Sequence, residues 1–122
     1  MRRLTTDISF TEQQIEDFGK LTGDNGPIHS VHKVVQGGLI ISSLPKYLNK
    51  VIVDNNLDAG FTHSVSMILE SKFRQKLKAN QKATVEFDFG DPNSKIFKLN
   101  WKVFNDDTIF CNGYWVIYRA RD

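Results

Sequence analysis

The chain has one cysteine, Cys111, so no internal disulfide can staple it, and a reduced, intracellular setting is expected. No apolar run approaches the roughly 20 residues a membrane span requires; Leu39-Ile40-Ile41 gives way at once to Ser42-Ser43. Behind Arg2 and Arg3 stands Leu4-Thr5-Thr6-Asp7, which offers no apolar stretch for a signal peptide, so a cytoplasmic protein is expected. Neither sign of charge dominates. The 16 Lys and Arg against 14 Asp and Glu leave +2, too little and too dispersed to announce nucleic acid or a membrane as partner. Repeats at solenoid periods and low-complexity stretches are missing too, which excludes an array or a linker. What remains is 122 residues, 40% of them hydrophobic, enough for one continuous core and hardly for two. A single domain over residues 1–122 is expected.

The first strong local signal is Phe10-Thr11-Glu12-Gln13-Gln14-Ile15. Thr11 can cap a helix, Gln14 can close the capping box, and Phe10 can staple onto Ile15. Ile15, Phe18 and Leu21 continue an apolar stripe, and Gly23 suits the left-handed residue that ends the helix. Asp24-Asn25-Gly26-Pro27 then turns the chain, since Gly permits positive φ and Pro disfavours helix at its predecessor. After Gln36-Gly37-Gly38, the residues Leu39, Ile40, Ile41, Leu44, Tyr47, Leu48, Val51 and Ile52 are apolar around most of a helix, which predicts a buried one. Pro45 falls inside it, so a kink or break is expected there.

From Phe61 onward the period becomes two. Ala83, Val85, Phe87 and Phe89 alternate with Thr84, Glu86 and Asp88, and Phe97, Leu99, Trp101 and Val103 with Lys98, Asn100 and Lys102. Gly90 to Ser94 reads as the hairpin loop between them, and Asn105-Asp106-Asp107 as the turn before a last strand, Thr108 to about Arg119. Val65, Met67 and Leu69 suggest an earlier strand running into Lys72 to Lys78. The expected fold is α+β: an antiparallel sheet of at least four strands curled around one long central helix. Such a sheet leaves edges that a domain of this size cannot cover, so a homodimer or higher homo-oligomer is expected.

Two titratable groups stand in the loop, Asp24 and His29, with the four residues Asn25-Gly26-Pro27-Ile28 between them. A carboxylate and an imidazole facing one cavity can move a proton to and from water. Spacing alone leaves open a turn-capping Asp24 and an ordinary polar His29. Gln36-Gly37-Gly38 at the start of the buried helix presents free N–H groups and the positive helix end, which favour an enolate or oxyanion; two glycines also simply permit close packing.

Taken together, residues 10–18, the run Leu21-Thr22-Gly23-Asp24-Asn25-Gly26-Pro27-Ile28-His29, and Gln36-Gly37-Gly38-Leu39 with Ser42 resemble the MaoC-like (R)-specific enoyl-CoA hydratases. The likeness is strongest over residues 8–48. It implies a hot-dog fold, no cofactor, and a lyase acting reversibly on trans-2-enoyl and (R)-3-hydroxyacyl thioesters of coenzyme A or acyl carrier protein. It implies that Asp24 and His29 are the catalytic pair, and that the Gly37 N–H holds the thioester carbonyl, with Gly38, Gln36 and Asn25 completing the loop and oxyanion side. Gly26 replaces the family's asparagine, a role Asn25 can take, and Gln36 replaces its histidine, keeping hydrogen bonding without the imidazole. Two other functions fit the same fold class: a thioesterase, in which a carboxylate turns water on the carbonyl carbon, and a catalytically eroded subunit that binds acyl thioesters.

Lys72, Arg74, Lys76 and Lys78 alternate along the early strand, as a solvated face or as a contact for coenzyme phosphates and an acidic carrier surface. His32 lies near His29, but no third ligand stands at a usual metal spacing, so no metal is expected. His63 and Cys111 read as structural. The aromatic residues Phe97, Trp101, Phe104, Phe110, Tyr114, Trp115 and Tyr118 fit core and dimer packing better than a base-stacking platform.

Overall fold

The structure, a computed structural model, describes residues 3–57, 64–90 and 95–119, without the side chains of residues 64–69 and 119. Its order is β1 (Arg3–Ile8), α1 (Glu12–Thr22), α2 (Pro27–Ser30), α3 (Gly37–Asp54), β2 (Ser64–Phe73), β3 (Ala83–Asp88), β4 (Ile96–Asn105) and β5 (Thr108–Arg119). The five strands form one antiparallel sheet in the order β1-β3-β4-β5-β2.

Alternation decides which face is buried. In β3, Ala83, Val85 and Phe87 point inward and Phe89 follows them; in β4 the inward residues are Phe97, Leu99, Trp101 and Val103. They share one core cluster with Leu39, Ile40, Leu44, Val51 and Ile52 of α3, so the long helix lies on the sheet's inner face as expected. Phe87 and Trp115 meet there at 6.5 Å between ring centroids. Gly113 on β5 is where only glycine fits. A Cβ would run into the Glu70 carbonyl of β2 on one side and the Trp101 ring, 2.7 Å away, on the other. Its bareness lets β2 and β5 pair under the indole.

Several expectations are corrected. β1 was not anticipated, because Leu4, Thr6 and Ile8 alternate with Thr5 and Asp7 too weakly to stand out; it pairs with β3 from Arg3↔Asp88 to Ile8↔Ala83 and forms one edge. Pro45 does not break α3, which runs unbroken from Gly37 to Asp54. Pro45 is exposed, so its missing hydrogen bond lies on the water side, while the buried Leu39, Ile40, Leu44, Val51 and Ile52 hold the helix to the core. Leu21 stands 85% exposed instead of continuing the stripe of α1. Six residues on from Ile15 is about 120° around the helix, and the buried partner of Ile15 is Gly19, four residues on.

The early strand also ends sooner than its charge alternation suggests. β2 stops at Phe73, where the N–H groups of Arg74 and Gln75 both turn to the Phe110 carbonyl (2.8 and 3.1 Å), so Arg74, Lys76 and Lys78 do not share a strand face with Lys72. The side chains of Val65, Met67 and Leu69 lie outside the described residues, as do His63 and most of the hairpin loop, 91–94. The backbone of β2 carries a register shift between Ser66 and Ile68.

Candidate active site

The approach to the site is built by α1. Thr11 accepts from the Gln14 N–H (3.1 Å) while the Gln14 side chain accepts from the Thr11 N–H (2.8 Å), the reciprocal box expected from the sequence. Phe10 and Ile15 are both in the core. Gly23 ends the helix with φ +80° and its N–H on the Gly19 carbonyl. A Cβ on Gly19 would press on Asn25 Cβ at 2.9 Å, so its bareness lets the loop fold back against the helix.

Pro27 then opens α2 as its first residue, a position where its missing N–H costs nothing. This single turn, read from the sequence only as a change of direction, carries His29. The His29 Nδ1 lies 2.7 Å from the Val34 carbonyl. A carbonyl only accepts, so Nδ1 bears the proton, and the lone pair of the neutral ring sits on Nε2. Nε2 faces Asp24 Oδ1 at 3.3 Å. The two expected residues are therefore brought together. They differ in access: the His29 side chain is 16% exposed and that of Asp24 52%, so water reaches the carboxylate side of the pair.

His29 and Gln36 border a cavity of about 540 Å³ with Ile15, Asn25, Ser30 and Lys33. The Asn25 side chain makes no hydrogen bond among the described residues and is exposed at the rim. Gln36 is fully buried, and its Nε2 donates to the Ile15 carbonyl (2.8 Å) and the Asp24 carbonyl (3.1 Å), so both amide hydrogens are used inside the protein. Its Oε1 is buried without a donor among the described residues.

Gly37 opens α3, and Gln36 supplies no side-chain cap, so the first N–H groups of the helix are left free of one. Gly37 lines a neighbouring depression of about 490 Å³ with Phe73, Arg74, Lys76 and Leu77. The half-exposed Phe73 ring lies against it, 2.7 Å from where a Cβ would stand. Gly38 is likewise covered by Phe18. Close packing thus coexists at these glycines with a helix start that the Gln36 side chain does not cap.

Other candidates are placed elsewhere. His32 is exposed on the turn after α2, and among the described residues no three of His, Cys, Asp and Glu cluster. Cys111 is fully buried, and burial pushes its thiol up to about 12, so it presents no thiolate near neutrality. Trp101, Phe97, Phe110 and Trp115 are core, whereas Tyr114 and Tyr118 lie on the outer face beneath Lys98 and Lys95, 4.1 and 5.0 Å from the ring centroids. Among the described residues no helix is long and apolar enough to cross a membrane. Sequence reasoning missed Val34, whose contribution is a backbone carbonyl; a backbone acceptor leaves no trace in residue identity.

The chain is similar in structure to the (R)-hydratase from A. caviae involved in PHA biosynthesis, with a TM-score of 0.74 and 14% identity over 98% of this chain and 95% of that one. The R-hydratase PhaJ1 from Pseudomonas aeruginosa gives 0.70 and 15%, covering 99% and 81%. A mutant of the fluoroacetyl-CoA-specific thioesterase FlK gives 0.69 and 10%, covering 96% and 84%. No protein-family model matches the chain, and no curated protein does. At these identities the likeness is one of fold: the sheet and central helix make a hot-dog fold, the one shared by (R)-hydratases and thioesterases alike.

Proposed function

We propose that this protein is a hydratase/dehydratase that acts reversibly on trans-2-enoyl and (R)-3-hydroxyacyl thioesters of coenzyme A or acyl carrier protein. The observation that carries this reading is the Asp24–His29 pair, 3.3 Å apart, with the His29 lone pair turned to the carboxylate by the Val34 carbonyl. At that separation the pair touches directly, so the reacting water lies beside it, on the open carboxylate side, within reach of Nε2. In hydration, His29 Nε2 takes a proton from that water as its oxygen bonds to the β-carbon. The π electrons of the alkene move toward the thioester, giving enolate charge on its oxygen, which the Gly37 N–H and the positive end of α3 favour. The pair then returns a proton to the α-carbon, so water is added across the double bond and the two groups regain their starting states.

Two copies joined along a sheet edge, β1 or β2, are the proposed assembly, since each edge strand has one neighbour in the sheet among the described residues. The cytoplasm is the proposed setting, in keeping with the single buried thiol.

The likeness to a thioesterase sets the rival reading, hydrolysis at the carbonyl carbon. An absorbance assay on crotonyl-CoA and a panel of longer enoyl thioesters, run beside a free-thiol assay, separates the two. Loss of enoyl absorbance without thiol release is expected, and replacing Asp24 by Asn or His29 by Ala should lower it by roughly 10³-fold. Unchanged turnover in either variant sinks the assignment; thiol release in the wild type transfers it to hydrolysis, and tight binding without turnover to an acyl-thioester-binding subunit.

A further inference from the structure

Both members of the pair are mounted on one short segment, residues 34–36. Val34 holds the His29 ring through its carbonyl, and two residues on, Gln36 holds Asp24. Gln36 is the one buried polar side chain among the described residues, in a core that is otherwise apolar. Space-filling does not account for it, since methionine has nearly the same length and no polar atoms to bury.

Its two acceptors are not equivalent. Ile15 lies inside α1, where the Gly19 N–H is the donor four residues on, so its carbonyl does not depend on Gln36. Asp24 lies past the helix end, and Gln36 is the only hydrogen-bond donor to its carbonyl among the described residues. On the other side the Asp24 N–H rests on Thr22 Oγ1 at 3.2 Å. With two carbonyls as neighbours, the amide must present its nitrogen to both, and a flipped amide would set oxygen against oxygen. Oε1 is then left without a donor among the described residues. The amide is retained for its N–H groups despite that orphaned oxygen.

We propose that Gln36 is a positioning residue: its side-chain amide fixes the Asp24 backbone, and with it the reach of the Asp24 carboxylate to His29. Gln36 does this from inside the protein without touching substrate. The kinetic consequence rests on the hydratase reading; the geometric one does not. Misplacing one member of an acid/base pair lowers the rate of the chemical step more than it weakens substrate binding.

The test compares Gln36→Met, which keeps length and burial but removes the donors, with Gln36→His, whose ring N–H restores one donor. Crystal structures of both variants give the Asp24–His29 separation, and crotonyl-CoA hydration gives kcat and KM. In Gln36→Met the pair should open beyond about 4 Å, and kcat should fall by roughly 10–100-fold with KM within about twofold. Gln36→His should recover most of the loss. An intact pair and unchanged kcat in Gln36→Met overturn the proposal, as does a Gln36→His no better than Gln36→Met. If Gln36→Met does not fold, Gln36→Asn, whose amide stops one methylene short, replaces it in both measurements. A wild type inert on every enoyl thioester sinks the hydratase reading alone, and the crystal structures still decide the positioning role.

Discussion

Where the sheet meets α3, side chains such as Val85, Phe87, Leu99 and Leu44 are wholly buried among apolar neighbours, whereas between Asp24 and Gln36 nearly every side chain is polar or exposed and order comes from single hydrogen bonds. The first region is held by area. Many contacts share the load, each worth little, so geometry is averaged over a surface and stability accumulates. The second is held by a few donors and acceptors, so geometry is sharply set and little stability is stored. A chain of this size can thus hold a carboxylate against an imidazole without weakening its core, because the two demands fall on different residues.

Substitutions should separate the regions by what they cost. Phe87→Ala, which empties a fully buried ring position against Trp115, should lower unfolding free energy by about 3–5 kcal/mol in urea titration. A smaller loss would mean that the sheet collapses onto α3 more freely than area-based packing allows. Cys111 probes the same interior by charge. Burial moves its thiol from 9.0 to about 12, so above pH 9 the unfolded chain releases a proton that the folded one retains. Its contribution is therefore complete below that point and is lost with rising pH, at about 1.4 kcal/mol per unit. Urea titrations at about pH 8 and pH 10 should show this loss in the wild type and not in Cys111→Ala, and native Cys111 should resist thiol reagents that label the unfolded chain. The smallest effect is expected in the loop: Asp24→Asn, at a half-exposed position, should change stability by no more than about 0.5 kcal/mol. A loss like that of Phe87→Ala would erase the distinction between the regions.

What could be read from the sequence follows the same division. The capped start of α1, its glycine end, the long buried helix and the three-strand meander β3-β4-β5 were legible because periodicity and turn chemistry repeat over many residues. β1 was not, since threonines mute its alternation, and Leu21 and Lys72–Lys78 misled because spacing in the chain was taken for a shared face. Asp24 and His29 were legible as residue types in a marked loop. How they are held was not: the partners are the Val34 carbonyl and an amide 12 residues away, fixed by tertiary structure alone.

The segment that holds the pair is itself clipped to a distant stretch of chain, through the Val35 N–H on the Leu77 carbonyl, the Val34–Lys78 bridge and the Ala79 N–H on the Lys33 carbonyl. Length changes in the gene would therefore have opposite meanings at two places that look equally permissive from outside. A residue inserted between Asp24 and His29 pulls the acid from the base while leaving their supports alone. One inserted between Phe73 and Leu77 leaves the spacing of acid and base untouched, yet moves the common support of both, so the two groups shift as a unit relative to the sheet.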